Sequence, residues 1–229
     1  MQRSAGDDQR RRIVVAMAEI AAEQGQESVT VGRVVELADV PKEAFYDHFD
    51  DRSDCLSAVL DAFVSVLAER VQTAGRRGQT WQERTRAGLL ELLEFLDANP
   101  QLARVCVAEA VTGSRRRRGR RGELLEQVVP ILDEGRVLAP ADRQPPAGAA
   151  LSVIGGTLGM IHARLHGSEQ QPLIDLLNPL MGMVVLPYLG EAAALRELTR
   201  AAEPAEPGRA GLRAWPACEA GAGSPRSQP

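Results

Sequence analysis

The sequence has few of the residues that stabilise secreted, metal-bound or membrane-spanning proteins. Its three cysteines, Cys55, Cys106 and Cys218, lie far apart and form no CxxC pair, which argues against a disulfide framework and a cysteine-based zinc site. No apolar run reaches the roughly 20 residues that a membrane span needs, and the N-terminus has no signal-peptide pattern. We therefore expect a soluble, cytoplasmic protein with no membrane partner, no metal and no cofactor.

Lysine and aromatic residues are also scarce. The chain has 27 basic residues, of which Lys42 is the only lysine, and 31 acidic residues, so its net charge is −4. A chain with this charge is not expected to bind nucleic acid or an anionic membrane over its whole surface. Aromatic residues make up 3% of the chain, yet Phe45, Tyr46 and Phe49 lie close together, and this concentration marks the segment as special.

The motifs of the common enzyme classes are absent from the sequence. It contains no Walker loop, no GxGxxG, HExxH or GxSxG motif, and no catalytic cysteine and histidine arrangement. We therefore expect a binding protein without catalytic residues.

Apolar residues recur with the 3.6-residue period of α-helices. The first stripe is Ile13, Met17, Ile20 and Ala21, and Gly25 follows it where a glycine commonly ends a helix. Alternating strand patterns are absent, so the expected fold class is all-α. The other periodic stretches lie near 56–67, 89–96, 100–112, 122–136, 147–166 and 171–190.

Two segments lack this helical pattern. Residues 201–229 are rich in alanine, proline and glycine and cannot bury enough apolar surface to offset their ordering entropy, which predicts a disordered tail. The run Arg115–Arg121 contains six arginines. It is interpreted as a solvated loop or the start of a helix, and the alternative is a surface that binds DNA phosphate, an acidic partner or an anionic ligand.

Residues 30–49, TVGRVVELADVPKEAFYDHF, have the features of a helix-turn-helix. Thr30 can cap a short helix, Asp39 occupies the tight turn, where aspartate tolerates the left-handed conformation, and Pro41 can open a second helix. On that helix Phe45 and Phe49 are i, i+4 neighbours and should both point into the angle between the two helices. Two short helices joined in this way form the DNA-binding motif.

The sequence around this motif resembles the TetR family of transcriptional regulators. A helix of about 16 residues that ends at Gly25 precedes the motif, and an Asp-Asp-Arg sequence opens a long helix after it. The resemblance implies a helix-turn-helix DNA-binding domain at 7–67 and a helical ligand-binding and dimerisation domain of about six helices at 68–200, before the tail at 201–229. The residues that match the family's motif are Thr30, Val34, Ala38, Val40, Lys42, Phe45, Tyr46, His48, Phe49 and Leu56.

The resemblance also implies contacts with double-stranded DNA. Tyr46 and His48 would hydrogen-bond phosphates, and Lys42 would approach a phosphate or a base edge. Thr30 would contact the DNA backbone from the first helix of the motif. Arg52, where the family usually has lysine, would meet phosphate at the start of the next helix. Such phosphate contacts position a protein on the duplex without discriminating sequence.

The outward face of the recognition helix is expected to contain Glu43, Ala44 and Asp47, and a glutamate at 43 departs from the family's usual small residue. Residues 1–56 contain seven basic and twelve acidic residues, a net charge of −5, which predicts weak DNA binding with a steep salt dependence. Glu43 and Asp47 either accept hydrogen bonds from cytosine N4 or are only solvated. In the second case affinity rests on basic side chains, namely Arg10–Arg12, Arg33, Lys42 and Arg52.

Gly155, Gly156 and Gly159 lie inside an apolar helical stretch and would allow a second helix to approach closely, either within one subunit or between subunits. The resemblance implies a homodimer formed by the last two helices, 147–166 and 171–190. His162 and His166 are i, i+4 neighbours, but only Glu169 could supply a third ligand at helical spacing, so no metal site is expected.

The second domain is expected to hold a small-molecule inducer, which its apolar composition predicts to be lipophilic. The candidate pocket residues are Phe63, Trp81, Phe95, Leu102, Cys106, Met160 and His162, and the alternative for each of them is an ordinary position in the core. The whole chain is thus expected to be a ligand-responsive repressor that binds a palindromic operator as a dimer. The alternative is a TetR-like ligand-binding protein whose DNA binding is weak or lost.

Overall fold

The computed structural model describes residues 2–112, 127–167 and 171–201, and these are helices joined by short turns with no strand among them. The all-α fold class is therefore confirmed. The expectations for the arginine run and for residues 202–229 lie outside the described residues. The helices are α1 (Gln2–Gln24), α2 (Val31–Ala38), α3 (Lys42–Tyr46), α4 (Arg52–Gly75), α5 (Trp81–Ala98), α6 (Pro100–Thr112), α7 (127–133), α8 (Ala149–His166), α9 (Leu177–Leu189) and α10 (Glu191–Leu198).

The chain divides into two compact units, and the division falls within α4, between Phe63 and Val64. In the first unit the α1 stripe is buried, with Ile13 and Met17 both 0% exposed. α1 begins earlier than the sequence pattern predicted, because its first turns are polar and carry no apolar stripe. Gly25, at φ 80°, follows its last residue as predicted.

The second unit is built around α9, which packs against α5, α8, α10 and a 3₁₀ turn at Glu134–Leu138. In this core the rings of Trp81 and Tyr188 meet edge to face, with their centroids 5.2 Å apart. The Trp81 indole N–H donates to the carbonyl oxygen of Ile131 at 3.0 Å, so its polar atom is satisfied although the ring is buried.

The stretch 171–190 was expected to form one helix, and this expectation is wrong. It contains a 3₁₀ turn at Leu173–Leu176 followed by α9. The carboxylate of Asp97 in α5 accepts hydrogen bonds from the backbone N–H groups of Leu173 and Ile174 at 2.9 and 3.2 Å, and these bonds fix the start of the turn to α5. Gly190, at φ 80°, then ends α9 and allows α10 to begin.

Across the three described ranges, no helix combines the length and the apolarity that a membrane crossing requires.

Candidate nucleic-acid interface

The turn between α2 and α3 has the geometry of a helix-turn-helix. Thr30 caps α2, since its side-chain oxygen accepts from the backbone N–H of Arg33 at 3.4 Å. Asp39 has φ 50° and ψ 56° and is the only non-glycine residue with positive φ in the described ranges. Pro41, at φ −65°, lies just before Lys42, so α3 begins one residue later than the sequence suggested. The predicted turn is confirmed.

Phe45 and Phe49 anchor the second helix of this motif. They are 0% and 3% exposed, and their ring centroids lie 5.6 Å apart. α3 ends at Tyr46, but the N–H of Phe49 donates to the carbonyl of Phe45 at 2.9 Å. The following turn therefore keeps both rings on the same side, and their predicted core position is confirmed.

Ala44 does not lie on the outward face of α3, so that prediction is wrong. It is 5% exposed, because α3 packs against both α1 and α2 and its buried face is wider than a single stripe through Phe45 and Phe49. The exposed residues of α3 and of the turn after it are Lys42, Glu43, Tyr46 and Asp47.

This exposed face combines one positive and two negative charges with a phenol. Tyr46 is 54% exposed, and its ring meets that of Phe45 edge to face at 5.4 Å, an arrangement that orients the exposed phenol. His48 is half-buried. Its Cε1 would lie 3.7 Å from a Cβ added to Gly6, so it packs beside the early part of α1.

Arg52, at the first position of α4, makes contacts that the sequence did not predict. Its Nη1 donates to the backbone carbonyls of Val29 at 3.0 Å and of Gln26 at 3.3 Å. The guanidinium therefore ties α4 to the turn that joins α1 and α2. Asp51 caps the start of α4, because its Oδ1 accepts from the N–H of Asp54 at 2.8 Å.

Arg33, in the first turn of α2, also donates hydrogen bonds to the segment that joins α1 and α2. Its Nη1 donates to the side-chain oxygen of Gln24 at 2.8 Å and to the carbonyl of Ser28 at 3.1 Å. These acceptors lie in a short polar segment, QGQES. For the Ser28 carbonyl the sequence signal is that a short turn leaves carbonyls without helical donors.

Two basic residues of α1 also have partners within the first unit. The guanidinium carbon of Arg10 lies over the ring of Phe49, 5.2 Å from its centroid. Arg12 lies 3.8 Å from Asp8 in an exposed i, i+4 pair. Lys42, another of the basic residues predicted to contact DNA phosphates, lies at the start of α3 with its side chain exposed.

The candidate inducer residues are divided between the two units, with Phe63 in the first and the other six in the second. Phe63, Trp81, Phe95, Leu102 and Cys106 are buried, whereas Met160 and His162 are half-buried. Protein groups already contact two of the aromatic rings. Trp81 packs on Tyr188, and the guanidinium carbon of Arg70 lies 5.2 Å from the Phe95 centroid. Their role in ligand binding stays a prediction.

His162 and His166 stack on one face of α8 with centroids 4.3 Å apart, and Nδ1 of His166 lies 3.0 Å from the carbonyl of His162. In the part of the chain that the structure describes, no group of three potential metal ligands surrounds them.

The glycines of α8 face in two directions. A Cβ added to Gly155 or Gly159 would meet no atom within 4 Å, whereas one added to Gly156 would lie 2.8 Å from the sulfur of Met183 in α9. Gly156 thus serves close packing within the chain, and the other two leave an open helix surface.

Comparison with protein families supports the assignment of the first unit. Residues 13–59 match the family model described as bacterial regulatory proteins, tetR family. One curated relative is the HTH-type transcriptional activator FasR of Mycolicibacterium smegmatis, which is 25% identical over 95 residues, 42% of this chain and 43% of the relative. The chain thus spans less than half the length of this relative.

Solved structures share the fold over most of both chains. One is the transcriptional regulator FadR from Bacillus subtilis in complex with stearoyl-CoA, with a TM-score of 0.59 at 19% identity. The match covers 79% of this chain and 98% of FadR. Another is RolR in complex with resorcinol, with a TM-score of 0.63 at 18% identity. The match covers 88% of this chain and 98% of RolR. At these identities the likeness shows the fold.

Proposed function

We propose that this chain, a tetR-family transcriptional regulator by its N-terminal domain, represses transcription as a homodimer that binds a palindromic operator and is released by a lipophilic inducer. The observation that carries the proposal is the helix-turn-helix, in which Thr30 caps α2, Asp39 forms the left-handed turn and α3 exposes Lys42 and Tyr46. Its sequence lies within the segment that matches the family model.

Each subunit would place α3 in the major groove of one half-site. Lys42, Tyr46 and His48 would contact phosphates and set the register of the protein on the duplex. In a dimer the two copies of α3 would reach half-sites about 34–36 Å apart, one helical turn of DNA. A ligand that changes this separation would weaken the complex, because both half-sites could no longer be occupied together.

The proposed dimer surface is centred on α8. Gly155 and Gly159 open onto empty space, and Leu151 on the same helix is 61% exposed. In α9, by contrast, six of the 13 residues are buried within the chain, and Leu186, at 50%, is the one that is exposed. We therefore assign the larger part of the interface to 147–166 and a smaller part to 171–190.

The inducer proposal draws on the proteins of similar fold. FadR from Bacillus subtilis was solved with stearoyl-CoA and RolR with resorcinol, both of which carry apolar parts. Five of the seven candidate pocket residues are buried apolar side chains in this chain, which fits a ligand with an apolar portion.

The acidic face of the recognition helix supports a second candidate function. Glu43 and Asp47 are exposed beside Lys42 and would repel DNA phosphates. In this alternative the chain keeps the fold and the ligand pocket but binds DNA weakly or not at all.

A mobility-shift titration separates the two candidates. The probe is the duplex DNA that flanks the gene, tested at low and at physiological salt, with stearoyl-CoA or resorcinol added in parallel reactions. A sequence-selective shift that persists at physiological salt and is reversed by a ligand supports the repressor. Binding equal to that of scrambled DNA supports the second candidate. A reporter gene placed downstream of the same DNA then shows whether the protein represses or activates transcription. This measurement is needed because the relative FasR is named as an activator.

A further inference from the structure

The turn between α1 and α2 is held by side chains from other parts of the first unit. It consists of Gly25 and the 3₁₀ turn Gln26–Ser28, followed by Val29 in extended conformation. Carbonyl groups at the ends of helices and short turns need donors from elsewhere. Here Arg52 of α4 supplies donors for the carbonyls of Gln26 and Val29.

We propose that Arg52 is a positioning residue for DNA binding, which acts by holding this turn and with it the start of α2, and that it is not a phosphate ligand. This inference rests on the proposed DNA-binding function. It differs from the role that the family resemblance implies for position 52, where a basic side chain would meet phosphate directly.

The geometry explains how Arg52 can act on the DNA contact from a distance. Val29 directly precedes Thr30, whose extended backbone, φ −127° and ψ 149°, and side-chain cap set the first turn of α2. Fixing the Val29 carbonyl at 3.0 Å therefore restrains the peptide plane that leads into the cap. Thr30, the cap of α2, is also expected at the DNA backbone, so an altered turn would displace that contact.

The guanidinium suits this task better than an ammonium would. The Nη1 of Arg52 carries two protons, and the two carbonyls accept from it at 3.0 and 3.3 Å. A lysine keeps the charge, but its side chain is shorter overall, its stem is flexible and it has no planar donor group, so Arg-to-Lys is not conservative at a site with two acceptors. This difference separates a positioning role from a charge role.

The test compares Arg52→Lys and Arg52→Gln with two matched variants. Lys42→Gln removes an exposed charge from α3, and Arg77→Gln removes an exposed charge from the second unit. The dissociation constant for duplex DNA from upstream of the gene is measured over a series of salt concentrations. Amide exchange of the free protein is followed by NMR at Ser28 and Val29, whose N–H groups donate to Gly25 and Gln26 within the turn.

Both Arg52 variants are expected to weaken DNA binding by about tenfold, the size expected when hydrogen bonds from a charged donor are lost. They should also accelerate exchange at Ser28 and Val29, while the slope of log Kd against log salt stays unchanged. Lys42→Gln should lower that slope by about one, and Arg77→Gln should alter neither quantity. A wild-type Kd in Arg52→Lys, with a slope lowered by about one in Arg52→Gln, would overturn the proposal.

A double-mutant cycle with Thr30→Ala distinguishes positioning from a general loss of stability. The Kd of each variant is measured under conditions in which circular dichroism shows that all variants are folded. Positioning through the turn predicts that the effects of Arg52→Lys and Thr30→Ala on Kd are not multiplicative, whereas a merely structural role predicts multiplicative effects. If the wild-type chain binds no DNA, the proposed function fails, but the exchange measurement still tests the contact. Unchanged exchange in Arg52→Lys would then overturn the inference.

Discussion

Arg86 and Glu197 form an ion pair inside the second unit, with Nη1 of the arginine 3.1 Å from Oε2 of the glutamate. The two side chains are 10% and 9% exposed. The same guanidinium donates to the side-chain oxygen of Asn178, and the amide nitrogen of Asn178 donates to the carbonyl of Arg200 at 2.7 Å. The ion pair thus joins α5 to α10, and the amide of Asn178 connects it to α9.

Removing one partner of this pair should be costly. Glu197→Ala leaves the Arg86 guanidinium in the same low-dielectric surroundings without its carboxylate, and we expect the free energy of unfolding to fall by about 3–5 kcal/mol. Urea unfolding followed by circular dichroism measures the change. Arg86→Met combined with Glu197→Leu removes both charges and should recover much of the loss. A double variant as unstable as Glu197→Ala would contradict this account.

Asp39 offers a test of local backbone strain. Its φ of 50° lies in the left-handed region, where a non-glycine residue is disfavoured by about 1–2 kcal/mol relative to the right-handed conformation. Asp39→Gly should therefore raise the midpoint of thermal unfolding, and Asp39→Ala should lower it, because alanine cannot form the local hydrogen bonds that let aspartate tolerate this region. Glu36→Gln removes a charge from an exposed, right-handed helical position nearby and should leave the midpoint nearly unchanged.

We expect the acidic residues Glu43 of α3 and Asp47 just after it to limit how tightly the protein binds DNA. Glu43→Gln and Asp47→Asn each remove a negative charge from the exposed face, and a unit charge at about 4 Å contributes about 1 kcal/mol in water. We expect each variant to bind DNA about fivefold more tightly, with unchanged base preference across operator variants. A change confined to operators with one particular base at a single position would show instead that the carboxylate contacts that base.

The features predicted from sequence were those encoded within a few residues of one another. The Thr30 cap, the turn at Asp39 and the pairing of Phe45 with Phe49 each depend on spacings of one helical turn or less, and their geometry follows from local stereochemistry. The end of α1 at Gly25 belongs to the same class. Such features can be predicted from the sequence because the type of a residue and its position relative to its neighbours determine the local conformation.

The features that escaped prediction depend on residues far apart in the chain. Ala44 is buried because α3 is covered from two sides, which a helical wheel for α3 alone cannot show. Arg52 is 23 residues from Val29, and Arg86 is 111 residues from Glu197, so nothing local indicates which acceptor an arginine will meet. A basic residue near a DNA-binding motif is therefore ambiguous until its protein partners are known.

Cys55 should be chemically inert in the folded protein. It is 0% exposed, and burial, with a smaller contribution from the Asp54 carboxylate, raises the pKa of its thiol to about 12. At pH 8 the reactive thiolate would then be on the order of one part in ten thousand. Iodoacetamide followed by peptide mass spectrometry should find Cys55 unmodified in native protein, modified in urea, and modified faster as the pH rises. Rapid labelling of the native protein at pH 8 would contradict the buried position.

Neighbouring glycines of α8 should respond in opposite ways to the same substitution. Gly155→Leu adds a side chain where the subunit has open space, so the free energy of unfolding of the monomer should not fall, and the loss of a flexible glycine should raise it by about 1 kcal/mol. The added side chain would, however, block the close approach of a second copy, so sedimentation velocity should show monomers at concentrations where the wild type is dimeric. Gly156→Leu drives its side chain into Met183 and should destabilise the fold by about 1–3 kcal/mol. If the wild type sediments as a monomer, or if the Gly155→Leu variant stays dimeric, α8 does not form the interface. The proposal that α8 sets the distance between the two copies of α3 would then be wrong.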